Sequence, residues 1–168
     1  MLYFNPDKSI PGSPEGPWNH SFRLEQSVGR SRTFLDLISS SFSKLGPRLK
    51  VVALVDPATE RAAAILQTKC DTFVKSAYEN TRVCKNLDEF VSTMTEEEYP
   101  RAIVIGSPPM FRGSNIPGRD IEIQLLKQFP GISLFVEKPV ATGPFEELKD
   151  SFGVAKAIRD SGSICSVG

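Results

Sequence analysis

The chain has 168 residues, with 20 Lys plus Arg balanced by 20 Asp plus Glu. That length supports a domain with a sizeable core and excludes a peptide or a disulfide-stapled miniprotein. Zero net charge leaves no overall field to attract nucleic acid or an anionic membrane, local patches aside, and 40% hydrophobic with 24% charged residues is globular, with no apolar run near the roughly 20 residues of a membrane span.

Residues 1–26 hold four prolines and two glycines and read as loop. Residues 27–45 contain six serines, and Phe34, Ile38, Phe42 and Leu45 fit one face of a marginal amphipathic helix. The composition shifts near residue 47. Residues 50–56, KVVALVD, predict a strand buried on both faces. Thr59 is then the expected N-cap of a helix striped by Ala62, Leu66, Cys70, Phe73 and Ala77, with a break near Lys69. Thr81–Lys85 predicts a short strand, and Leu87, Phe90, Val91 and Met94 a helix closed by the solvated run Glu96, Glu97 and Glu98. AIVI at 102–105 is the next strand, followed by a helical face of Ile121, Leu125 and Phe129 and by the strand ISLFV at 132–136. Phe145, Leu148, Phe152, Ala155 and Ile158 predict a last helical stripe stopped at Gly162, and Ser163–Val167 starts another strand. Alternating strands and helices predict βαβ units and a doubly wound parallel sheet covered on both faces.

Cys70, Cys84 and Cys165, with His20 as the single histidine, form no CxxC pair or His cluster, so no metal site is expected. They read as reduced, semi-buried thiols. Met1–Pro6 lacks the apolar stretch and basic flank of a signal peptide, which makes the cytoplasm the expected compartment.

Ligands of open parallel sheets bind beyond the carboxyl ends of the strands, so the residues after each apolar run are the candidates. Asp56 either accepts hydrogen bonds from an adenosine ribose, favouring NAD, or simply ends its strand and opens a turn with Pro57. Arg61 keeps NADP open, because a guanidinium pairs with a 2′-phosphate. Gly106-Ser107-Pro108-Pro109 is either a stiff loop that lies against a planar ligand or an ordinary strand exit. Glu137-Lys138-Pro139 either presents an ammonium to a hydroxyl or carbonyl or is a surface ion pair.

Taken in order, VVALVDP, AIVIGSPP, LFVEKPVATGPFEEL and ICSVG resemble the N-terminal domain of the Gfo/Idh/MocA oxidoreductases, the glucose-fructose oxidoreductase and inositol dehydrogenase family. The resemblance covers about residues 48–168. It implies a Rossmann-like domain binding NAD or NADP, followed in the family by a second α/β domain that forms the pocket for a sugar, cyclitol or similar substrate. It implies Lys138 as the catalytic residue, Glu137 and Pro139 shaping its loop, Asp56 on the adenosine ribose, and Ser107 with Pro108 lining the cofactor. It also implies partners limited to the dinucleotide and, where a second domain is supplied, a small-molecule substrate, with no nucleic acid and no membrane.

The departures from the family pattern are specific. Arg112 stands where the family usually has a histidine, and no intact strand runs into GxGxxG. Gly12 and Gly16 read as the distal part of a diverged glycine-rich loop preceded only by Leu2-Tyr3-Phe4, and Gly29 has no strand before it. Residues 27–43 read as an insertion, and the chain as truncated before the substrate domain. The expected organisation is a diverged glycine-rich segment at 1–46 and a Rossmann-like domain at 47–168. The expected function is an NAD(P)-binding oxidoreductase domain with little turnover alone. A nucleotide-sensing regulator using Phe34, Ile38 and Phe42 as a contact face, or a non-functional truncated product, are the alternatives.

Overall fold

The computed structural model describes residues 49–168. In chain order the elements are β1 (Ala53–Val55), α1 (Thr59–Cys70), α2 (Lys75–Tyr78), β2 (Arg82–Cys84), α3 (Leu87–Thr93), a 3-10 turn at Glu96–Glu98 and β3 (Ala102–Ile105). A second 3-10 turn at Pro109–Phe111, α4 (Ile121–Gln128), β4 (Ser133–Val136), α5 (Phe145–Leu148), α6 (Asp150–Asp160) and β5 (Cys165–Val167) follow. The expected strand at Leu2–Phe4, the stripe from Phe34 to Leu45, the insertion at 27–43, and Gly12, Gly16 and Gly29 lie outside the described residues.

Every strand pairing is parallel. β1 pairs with β2, and β4 lies between β3 and β5. Parallel neighbours need a crossover, and each sequential link here is helical, which is the physical content of the βαβ reading. The register Ile105↔Val136 sets the ends of β3 and β4 side by side. That register positions the loops discussed below.

One core joins both strand groups: Ala53 and Val55 of β1, Cys84 of β2, Ile103 and Ile105 of β3, and Leu134 and Val136 of β4. Leu87 and Phe90 of α3, and Ile121 and Leu125 of α4, close over it together with Phe129. Phe129 meets Phe90 at a centroid distance of 6.3 Å and Tyr99 edge-on at 5.4 Å. Burial of each such side chain contributes about 1.5–3 kcal/mol. A smaller cluster of Val74, Ala77 and Tyr78 lies under Leu66 and Cys70 of α1, and burial pushes the Tyr78 hydroxyl up to about 12.

β1 is buried along its whole length, as KVVALVD predicts, but shorter than expected. β4 instead alternates, with Leu134 and Val136 buried and Ser133 and Phe135 half-buried.

Several local expectations are corrected. Thr59 is the first residue of α1 and not its cap: Ala58 holds that position, no side chain caps the helix, and the Asp56 side chain instead accepts from the Ala58 amide at 2.8 Å. The helix does break close to Lys69, ending at Cys70, but Phe73 is 74% exposed instead of lying on the buried stripe. The last helical stripe is rotated. Phe145 and Phe152 are exposed, α5 and α6 are separate, and the inward face runs through Leu148, Ser151, Val154 and Ile158, with only Val154 fully buried. Gly162 does follow α6 with φ +73, the left-handed conformation of a helix stop. Of the thiols, Cys84 is buried and Cys70 half-buried, but Cys165 is exposed on β5.

No described helix is long and apolar enough to cross a membrane.

Candidate functional site

Asp56 continues the β1 ladder by one residue, its amide donating to the Cys84 carbonyl at 3.0 Å. Its carboxylate does two things. Oδ1 accepts from the Ala58 amide, forming the turn that the bland reading required, and Arg61 Nη2 reaches Oδ2 at 3.0 Å and Oδ1 at 3.3 Å. The two predicted specificity residues are thus one ion pair at the tip of β1, in which the Asp56 side chain is 18% exposed and that of Arg61 40%.

Beyond β3, Gly106 is exposed while Ser107 is fully buried. The Ser107 Oγ has no hydrogen-bond partner among the described residues. Pro108 fixes the entry to the 3-10 turn, its carbonyl accepting from the Phe111 amide at 3.0 Å. Arg112 then turns back under the strand. It is buried, and its Nη1 donates to the Ile105 carbonyl at 3.4 Å.

Beyond β4, the Glu137 amide donates to the same Ile105 carbonyl at 3.0 Å, and the Lys138 amide donates to Gly168 at 2.9 Å. The Lys138–Pro139 peptide bond is cis. Lys138 and Pro139 are exposed and Glu137 is half-buried. The loops 106–109 and 137–139 are therefore neighbours held by one carbonyl, whereas Asp56 stands on the other strand group.

Sequence reasoning treated Arg112 only as a departure and missed Glu122. Glu122 is buried in the first turn of α4, and its Oε2 accepts from the Gly113 amide at 3.0 Å. Burial pushes its carboxyl up, opposed by the Gly113 amide, its own backbone and the Arg112 charge. Burial pulls Arg112 down, opposed by Glu122 and Glu137. The available signal was an acid beside Ile121 on an otherwise apolar face, which reads equally as a helix-dipole partner. Gly113 has φ +74, and a Cβ there would lie 2.5 Å from the Val140 carbonyl oxygen and 2.8 Å from the Ala141 Cβ. Arg119 pairs with Glu147 and donates to the Thr142 carbonyl at 2.6 Å, and Ser114 donates to Asp150 at 2.9 Å. These contacts lock the β3–α4 loop onto the β4–α5 loop.

Residues 12–168 match the oxidoreductase family with an NAD-binding Rossmann fold. The chain belongs to the Gfo/Idh/MocA family. Two uncharacterized proteins of Schizosaccharomyces pombe are similar to this Gfo/Idh/MocA chain, one 40% identical over 159 residues and the other 32% identical over 159 residues. Each alignment covers 94% of this chain but only 34% and 36% of the respective relative, so the chain spans about a third of the length of these relatives. No solved structure matches the chain.

The family supports a nicotinamide dinucleotide as the cofactor class. The residues present fit such a group. The buried, unpartnered Ser107 hydroxyl needs an acceptor or donor from outside the described residues, and Asp56 presents carboxylate oxygens at a strand tip.

Proposed function

We propose that this Gfo/Idh/MocA chain is the NAD(P)-binding part of an oxidoreductase that moves a hydride to or from a sugar, cyclitol or similar small molecule. The dinucleotide site would be formed by residues 47–168 together with the glycine-bearing segment of residues 1–46. The observation that carries this reading is that the ends of β3 and β4 lie side by side, with the Glu137 amide donating to the Ile105 carbonyl, so that the loop bearing Ser107 and Pro108 and the loop bearing Glu137 and Lys138 leave the sheet as neighbours. Asp56 at the tip of β1 supplies the matching acid.

When bound, the nicotinamide supplies a hydride acceptor or donor at its C4 position. Every other role falls to the chain. Asp56 accepts hydrogen bonds from the adenosine ribose hydroxyls, and Ser107 with Pro108 lines the cofactor. Gly12 and Gly16, which lie outside the described residues, are assigned to the pyrophosphate by their place in the glycine-bearing segment. Lys138, exposed beyond the end of β4, polarises or protonates the substrate oxygen, and Glu137 and Pro139 hold its loop. The ion pair of Asp56 with Arg61 leaves NAD favoured, with NADP accommodated only if the guanidinium turns to the phosphate.

A substrate pocket requires a second domain of the kind the family carries. The chain alone is therefore expected to bind dinucleotide weakly and to turn over little. Titrating the chain with NADH and NADPH, followed by nicotinamide fluorescence, tests the reading: saturable binding with NADH the tighter ligand supports it, and no saturable binding of either removes it.

A further inference from the structure

Arg112 is 1% exposed, yet its guanidinium makes one long hydrogen bond, at 3.4 Å, and its Nε has no partner among the described residues. A buried guanidinium is costly to desolvate, and it persists where the surrounding charges and acceptors repay the burial. Here the surroundings are Glu122 at the start of α4, Glu137 at the end of β4 and the Ile105 carbonyl at the end of β3. The Ile105 oxygen uses both acceptor sites, one for the Glu137 amide and one for Arg112. Glu122 in turn holds the Gly113 amide, next to Arg112 itself. One cation thus sits where three segments meet: the exit of β3, the exit of β4 and the first turn of α4.

We propose that Arg112 is a positioning residue of the dinucleotide site, tying the Gly106–Pro109 loop to the Glu137–Pro139 loop so that both address the nicotinamide end of one ligand. This rests on the dinucleotide reading above. It goes further, because it separates the two ends of the site: the Asp56 end belongs to the other strand group, where Asp56 pairs with Arg61. A shift of about 1 Å between the two loops is enough to lose productive geometry.

The test compares NADH with ADP-ribose, which carries the adenosine ribose and pyrophosphate but no nicotinamide, on the full chain. Arg112→Met removes the charge and donors at similar length, and Arg112→Lys keeps the charge and a donor. The expected result for Arg112→Met is NADH weakened about tenfold with ADP-ribose changed less than about twofold, and about threefold weakening of NADH for Arg112→Lys. A role in stability alone would weaken both ligands together. If Arg112→Met shows no cooperative unfolding transition, Arg112→Lys decides: equal losses for both ligands, or no loss for either, overturn the positioning role. A native chain that binds neither ligand overturns the dinucleotide reading itself, and with it this proposal. A native chain that binds both, with variants that bind both unchanged, overturns the positioning role alone.

Discussion

Arg61 reaches both carboxylate oxygens of Asp56 from one guanidinium nitrogen, at 3.0 and 3.3 Å. The acid proposed to meet an adenosine ribose and the base that would pair with a 2′-phosphate therefore neutralise each other. Asp56→Ala is expected to weaken NADH about tenfold and NADPH by less, because it removes ribose hydrogen bonds together with the carboxylate that competes with a 2′-phosphate for Arg61. Arg61→Ala is expected to widen the preference for NADH. Fluorescence titration of both cofactors checks this, and an unchanged preference in both variants contradicts the ribose assignment.

The lock between the β3–α4 and β4–α5 loops predicts a steep response at Gly113. Alanine there combines φ +74 with a 2.5 Å approach to the Val140 carbonyl oxygen. Gly113→Ala is expected to cost about 1–3 kcal/mol. Urea unfolding of the variant measures this cost, and a midpoint equal to that of the native chain contradicts the close packing of the two loops.

Burial separates two phenylalanines that look alike in the sequence. Phe90 is fully buried against Phe129, and Phe152 is 77% exposed. Phe90→Ala is expected to destabilise by about 3–5 kcal/mol and Phe152→Ala by less than about 0.5 kcal/mol. Equal costs in denaturant unfolding contradict the rotated face of α6.

Glu122 gives the fold a pH dependence of defined sign. Burial raises its carboxyl above the ordinary glutamate range, so folding takes up a proton between that range and the raised value. Stability from this group is full below the window and falls as pH rises through it. Glu122→Gln keeps an oxygen for the Gly113 amide and is expected to flatten this part of the profile. Urea midpoints measured across pH check the difference, and parallel profiles for native chain and variant refute it.

Much of the fold was legible because buried parallel strands leave continuous apolar runs, and KVVALV, AIVI and SLFV all became strands. The candidate residues followed from the rule that such strands bind ligands at their carboxyl ends. What was not legible depended on tertiary packing. The spacing of Phe145, Phe152 and Ile158 fits a helical stripe, but which stripe faces inward depends on what α4 presents to it. Arg112 stood out only as a departure from the family pattern and Glu122 not at all, since nothing local says that both become buried where the β3–α4 loop meets α4. The Asp56 alternatives could not be separated in the sequence because one carboxylate forms the turn through Oδ1 while both of its oxygens also meet Arg61, a pairing that spacing alone does not reveal.

The central claim is that the strand-end residues form a nicotinamide dinucleotide site. The most direct measurement is NADH titration of the full chain and of Asp56→Ala, read by nicotinamide fluorescence. Saturable binding by the native chain that weakens about tenfold in the variant is the predicted result. Absence of saturable binding, or binding that is indifferent to Asp56, would contradict it.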